Sequence, residues 1–261
     1  MKLQISSQLL SKIFEKIIAN RLLNFLTTNS IIYENQFGFR KGHSSAMAVI
    51  TLVDFISTAI DNKEFPIEIF TDPSKAFDTL NHKILITKLE HIGIRGPILA
   101  LLQNYLEDRT QCVFYNGTLS DSLPITCGVP QGSILGPLNF LLYINDLKNT
   151  STLLKFIPFA VDTTFYFSSS NLTHLIQTIN TELKHVAEWF KINKLSLNVS
   201  KTNFVLFKKN SISIPLDPPF IDNLKIAQVS NTKFLGVEIN DNLNWHSHMS
   251  SIEKNYPVYL V

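Results

Sequence analysis

Apolar side chains recur at helical spacing in three stretches of this chain. Leu9, Leu10, Ile13, Phe14, Ile17, Ile18 and Leu22 fall three and four residues apart, as do Val49, Val53, Ile56 and Ile60. An amphipathic helix is therefore predicted on each side of a polar loop around Arg40. A third stripe, Leu172, Leu175, Ile176, Ile179, Leu183, Val186 and Phe190, follows Ser170 and Asn171. Either of those two can cap the helix, by accepting from an unpaired amide of its first turn. β-Branched and aromatic runs over 65–71, 111–115, 153–160, 163–167, 203–207 and 233–239 predict strands. Asn116-Gly117, between two extended runs, signals a tight hairpin, because both residues tolerate positive φ. Pro137, just after Gly136, suits the first turn of a helix, where a missing amide hydrogen costs nothing. Pro215, Pro218 and Pro219 mark an irregular connection. Helices packed on a largely antiparallel sheet make this an α+β chain.

Composition adds little to that picture. With 261 residues, 45% of them hydrophobic, a packed core is assured. A net charge of +2 announces no overall basic field for a nucleic-acid partner. The first 45 residues do carry six cations (Lys2, Lys12, Lys16, Arg21, Arg40 and Lys41) against Glu15 and Glu34, an imbalance that a solvated helix face explains equally well. Cys112 and Cys127 are the only cysteines, too few for a zinc set or a secreted disulfide framework. Apolar stretches such as Phe140 to Ile144 fall far short of the ~20 residues that cross a bilayer, and Met1 to Leu10 lacks a signal-peptide core. The expectation is an intracellular protein of nucleus or cytoplasm, neither secreted nor in a membrane.

Five segments carry the chemistry, and their order matters as much as their wording. They are Gln36-Phe37-Gly38-Phe39-Arg40-Lys41-Gly42, Phe70-Thr71-Asp72-Pro73-Ser74-Lys75-Ala76-Phe77-Asp78, Gly128-Val129-Pro130-Gln131-Gly132-Ser133-Ile134-Leu135-Gly136-Pro137, Phe159-Ala160-Val161-Asp162-Thr163-Thr164, and Leu197-Asn198-Val199-Ser200-Lys201-Thr202. In that order they resemble the motifs of the reverse transcriptase of non-LTR retrotransposons, jockey-like elements above all, over a span from about Ser11 to Trp245. The resemblance implies a right-hand polymerase fold. Its fingers and palm would occupy residues 1–238, and 239–261 would begin a truncated thumb or connection. It also implies RNA-directed DNA synthesis, in which deoxynucleoside triphosphates are added to a DNA primer on an RNA template. Two Mg2+ ions, or Mn2+ in their place, would assist.

Individual roles come from the same resemblance. Asp72 and Asp162 would be metal-binding carboxylates, joined by the backbone carbonyl of Pro73. For Asp72 the competing reading is a strand-end or helix-capping Asp. Arg40 and Lys41 would grip the triphosphate, unless they are a solvated basic loop. Phe77 would exclude a ribose 2′-hydroxyl, unless it is a core aromatic. Gln131 and Gly132 would form the turn against nucleotide and template, unless they are an ordinary loop-to-helix turn. Lys201 would stand near the leaving pyrophosphate as a proton donor. Phe234-Leu235-Gly236 would support the primer end, a plain buried strand being the alternative. Asp78 is expected to cap a helix from Thr79. Trp245-His246-Ser247-His248 offers two histidines without further ligands, and so surface residues.

Val161 stands where the family carries an aspartate. Changes even one layer out from a metal's ligands cost about 10–100-fold, so losing a ligand carboxylate is expected to cost more than roughly 10²-fold in activity. Pro158 adds a second burden, since proline cannot donate to a ladder and is unwelcome in the centre of a sheet, where the resemblance places this hairpin. Pro73 is milder, restricting Asp72 to an extended conformation. The expectation is a truncated, degenerate copy with severely impaired synthesis. The alternatives are a nucleic-acid-binding remnant without catalysis, and a related polymerase such as an intron maturase or an RNA-copying RNA polymerase.

Overall fold

A computed structural model of the chain describes residues 2–71, 73, 76–130, 132–160, 162–208 and 217–255. The elements run α1 (Lys2–Thr28), α2 (Ser45–Asp61), β1 (Phe65–Thr71), α3 (Ala76–Thr79), α4 (His82–His91), α5 (Pro97–Leu106), β2 (Thr110–Gln111), β3 (Phe114–Tyr115), β4 (Thr118–Leu119) and β5 (Leu123–Pro124). They continue with α6 (Leu135–Ile144), β6 (Lys155–Phe159), β7 (Asp162–Ser169), α7 (Leu172–Ile192), β8 (Asn203–Leu206), β9 (Phe220–Ile221), β10 (Leu224–Lys225), β11 (Ala227–Gln228), β12 (Asn231–Phe234), β13 (Val237–Asn240) and α8 (His246–Asn255). Two compact units divide them. One comprises Met1–Tyr33, Lys75–Leu147 and Lys191–Ser196, and the other Glu34–Ser74, Lys148–Phe190 and Leu197–Val261.

The second unit is built on a five-stranded sheet ordered β11-β8-β1-β7-β6, antiparallel except for the β11–β8 pair. β1 lies in the middle, with four consecutive buried residues, Pro66 to Ile69. Both of its faces are covered, which is why it reads as an almost continuous apolar run. The register puts Glu68, Tyr166 and Val205 in one row and Ile69, Phe165, Phe156 and Phe204 in another, on the opposite face. α2 packs on β1 and β6, and its Ala48, Val49, Leu52 and Ile56 join Ile157, Tyr166, Val205 and Phe207 in one cluster. Each such fully buried large side chain contributes about 1.5–3 kcal/mol.

Helices dominate the first unit, where α4 packs on α5 and α6, and α1 on α6. Lys88 of α4 donates to Asp146 Oδ1 at 2.7 Å and to the Tyr143 carbonyl at 2.6 Å. A ribbon of short strands, β2 with β5 and β3 with β4, turns at Asn116-Gly117, both at positive φ as the dipeptide demands. Cys112 and Cys127 are free and exposed.

Several sequence expectations need correction. The run 111–115 is two short strands, and 233–239 is a hairpin, β12 and β13, turning at Leu235 and Gly236 with φ of 49° and 91°. Asp78 lies inside α3 rather than capping a helix from Thr79. Asn81 is the cap that matters here, its Oδ1 accepting from Ile84 N at 3.1 Å to start α4. α4 and α5 are helices that the stripes above did not predict. Of the two candidate caps for α7, Asn171 serves, accepting from His174 N at 3.0 Å. Pro215 falls outside the described residues.

Pro158 is not in the middle of the sheet, because β6 is an edge strand. Its carbonyl points away from β7 and accepts from Phe37 N at 3.2 Å. In an antiparallel strand the amide and carbonyl of a residue point the same way, so proline's missing N–H removes no ladder bond here.

Candidate active site

Phe159 pairs with Asp162 at the head of the β6–β7 hairpin, and Ala160 takes the left-handed φ of 57° that a tight turn requires. Asp162 emerges exposed at the head of β7, while Thr163 and Thr164 behind it are buried. On the neighbouring strand Thr71 pairs with Thr163, and its hydroxyl donates to the Thr163 carbonyl at 2.6 Å. The end of β1 and the start of β7 are thereby locked side by side. Pro73 is buried and bridges Leu197, which brings the Leu197–Thr202 segment against the end of β1.

An open cleft of about 220 Å³ results, lined by Phe70, Thr71, Asp162, Thr164, Lys201 and Asn203 on one side and Thr232, Lys233, Phe234 and Leu235 of the β12–β13 hairpin on the other. Two separate motifs, those holding Asp162 and Lys201, thus meet in one cavity, with the Phe234-Leu235-Gly236 turn beside them. Lys233 is a cation of this cleft to which the sequence drew no attention.

Asp72, Gln131 and Val161 lie outside the described residues. Among the described residues no set of three His, Cys, Asp or Glu side chains is gathered that could hold a metal ion. Asp162 is the one described carboxylate of the cleft, and it shares the space with two lysines. A hard divalent cation seeks several oxygens, so the described donors alone do not fit a two-ion site.

Arg40 is no free solvated cation. Half-buried, it hooks back on its own loop, Nη1 donating to the Glu34 and Gln36 carbonyls at 3.1 and 3.2 Å. Partial burial lowers its pKa from the usual guanidinium value. Lys41 beside it is exposed.

Phe77 and Gly132 belong to the other unit. Phe77 is half-buried, with its ring 4.9 Å from that of Phe140. Its carbonyl accepts from Val129 N at 2.9 Å, Leu80 O accepts from Gly128 N at 2.7 Å, and His82 Nε2 donates to Gly128 O at 2.7 Å. The segment after Asp72 is therefore stitched to the Gly128 segment. Gly128 has φ of 84°, and a Cβ there would sit 2.8 Å from the Asp78 carbonyl. Gly132 is exposed with φ of 75°. Two and three residues on, the amides of Ile134 and Leu135 donate to Glu15 of α1 at 2.7 and 3.3 Å, capping α6 with a carboxylate. No sequence signal marks that contact, because 119 residues separate the partners.

No helix of the described residues is long and apolar enough to cross a membrane. Residues 4–239 match the family described as "Reverse transcriptase (RNA-dependent DNA polymerase)". Among curated relatives, the probable RNA-directed DNA polymerase from transposon X-element of Drosophila melanogaster is 32% identical over 247 residues, covering 93% of this chain and 27% of the relative. The RNA-directed DNA polymerase from mobile element jockey of the same species is 27% identical over 254 residues, covering 95% and 27%. The chain spans about a quarter of the length of these relatives. Apo telomerase from Candida tropicalis superposes with a TM-score of 0.60 at 15% identity, covering 90% of this chain and 40% of that one. Telomerase from Candida albicans, solved with a fragment of telomeric RNA, gives 0.57 at 16% identity, covering 90% and 38%.

Proposed function

This chain belongs to the reverse transcriptase family, and from that premise we propose that it is the fingers-and-palm part of a mobile-element RNA-directed DNA polymerase whose synthesis is severely impaired. The observation that carries the reading is the shared cleft of Asp162 and Lys201, walled by the ends of β1 and β7 and by the Phe234-Leu235 turn. A primer terminus and a nucleotide need such a convergence of strand ends. A structural protein has no use for an exposed aspartate beside two lysines at the head of a sheet.

Within this reading the family's divalent ions, Mg2+ or Mn2+, would find oxygens at Asp72, at Asp162 and at the Pro73 carbonyl, and none at Val161. The set is one carboxylate short, and that vacancy is why the copy is proposed as impaired. Arg40 and Lys41 supply cations for the triphosphate. Lys201 would give a proton to the leaving pyrophosphate. Phe77 would reject a 2′-hydroxyl, and Gln131 with Gly132 would meet the sugar and template.

The test is primer extension on an RNA template with a DNA primer, in parallel with RNA–DNA binding as salt is raised. Expected are binding that weakens steeply with salt and slow extension that uses deoxynucleotides in preference to ribonucleotides. Salt-sensitive binding with no extension under any condition, the Val161→Asp chain included, would mark a binding remnant instead. Preference for ribonucleotides would overturn the assignment to DNA synthesis.

A further inference from the structure

The turn that presents Asp162 is braced from outside its own hairpin. Phe37 N donates to the Pro158 carbonyl at 3.2 Å, fastening the 36–40 loop to the free edge of β6. The next residue, Gly38, is buried and lies flat against the turn. A Cβ built on it would fall 2.2 Å from Ala160 N, 3.0 Å from the Phe159 carbonyl carbon and 3.1 Å from Ala160 Cα. All three are backbone atoms, so no rotamer change makes room. The loop is held in that pose from within: Gln36, 3% exposed, accepts from Gly38 N through Oε1 at 2.9 Å, and Arg40 bonds the Glu34 and Gln36 carbonyls. Both bonded surfaces, loop and turn, belong to one unit.

We infer that Gly38 is a positioning residue, and that the 36–40 loop is a clasp setting the place of the turn that carries Asp162. Glycine is required because main chain meets main chain, and the left-handed Ala160 needs an outside support to keep its conformation. The consequence for synthesis rests on the polymerase reading. Since Arg40 anchors the same loop, a triphosphate held there would be tied to the turn through Gly38.

Two measurements test this, and they fail separately. The first is hydrogen–deuterium exchange of amides 159–165 in the unmodified chain, in Gly38→Ala and in Gln36→Leu, which removes the internal acceptor without adding bulk at the turn. Exchange is expected to rise about tenfold at the turn in both variants, with α7 unchanged. If Gly38→Ala unfolds, exchange rises in α7 too, and Gln36→Leu then decides. Rates at the turn within about twofold of the unmodified chain would overturn the clasp.

The second measurement is primer extension in the Val161→Asp background. There Gln36→Leu should lower kcat by about tenfold and leave the KM for dTTP within about twofold, as a displaced reacting group does. A change in KM alone would overturn the positioning role. Should Val161→Asp extend no primer at all, the polymerase reading fails, while the exchange rates still decide the clasp.

Discussion

Thr71 and Thr163 stand opposite each other in the ladder of β1 and β7, and the Thr71 hydroxyl donates to the Thr163 carbonyl at 2.6 Å, with both residues buried. The bond ties together the strand ends that border the cleft. Thr71→Val keeps the shape and deletes the donor, leaving a buried carbonyl short of a partner. It is expected to lower stability by about 1–2 kcal/mol, a shift of roughly 2–8 °C in Tm, with Thr71→Ser recovering most of it. Thermal unfolding of the three chains checks this. A Val variant as stable as the parent would mean that the bond does not hold the strands.

Glu68 sits in the middle of β1 with no exposure, and neither carboxylate oxygen has a hydrogen-bond partner among the described residues. Tyr166 and Val205 flank it in register, and Lys155, one strand beyond Tyr166, puts its ammonium over the Phe55 ring. Burial pushes the Glu68 carboxyl well above its ordinary value of 4.5. Between that value and the raised one the folded chain holds a proton that the unfolded chain has lost, so stability falls as pH rises through this window. Glu68→Met should therefore stabilise the fold by about 1–3 kcal/mol near pH 8, where the carboxyl's burial is most costly. The gain should shrink below pH 4.5. Urea unfolding of both chains at the two pH values measures it, and a gain independent of pH would show that the carboxyl does not titrate on unfolding.

The carboxylate of Glu15 closes the N-terminus of α6 from a distant helix. Glu15→Ala should cost about 1–2 kcal/mol, the usual loss of a cap, and Glu15→Gln rather less, since an amide oxygen still accepts. Because the capped amides are those of Ile134 and Leu135, proteolysis within 128–135 should accelerate in the Ala variant. Equal cleavage rates would argue that other contacts hold this segment.

What the sequence disclosed follows from which contacts are local. The stripes that became α1, α2 and α7, the runs that became β1, β6 and β7, and the Asn116-Gly117 turn are all set by near neighbours, and they were legible. Pro158 was misjudged, because a strand's place in a sheet depends on pairings the strand itself does not encode. The two halves of β12–β13 were fused into one strand, since Leu235-Gly236 lacks the polar first residue of the usual turn pair. Glu15, Gln36 and Glu68 act through partners or burial that tertiary packing alone creates, and no periodicity could have marked them.

Those pairings change what a repair of the site must include. With β6 at the sheet edge and the Pro158 carbonyl turned outward to Phe37, proline at 158 leaves the β6–β7 ladder intact. On the function proposed above, the impairment traces to residue 161 rather than to the strand, since the aliphatic side chain in the sequence offers a divalent ion no oxygen. Val161→Asp alone should therefore raise primer extension with Mg2+ by at least roughly 10²-fold over the unmodified chain, the least that a ligand carboxylate is worth. Adding Pro158→Leu should give less than about twofold more, since no ladder bond is regained. Single-turnover extension on an RNA template, with the three chains at equal concentration, compares them directly. Recovery only in the double variant would mean that proline distorts the turn despite the edge position. Vigorous extension by the unmodified chain would mean that the remaining oxygens suffice.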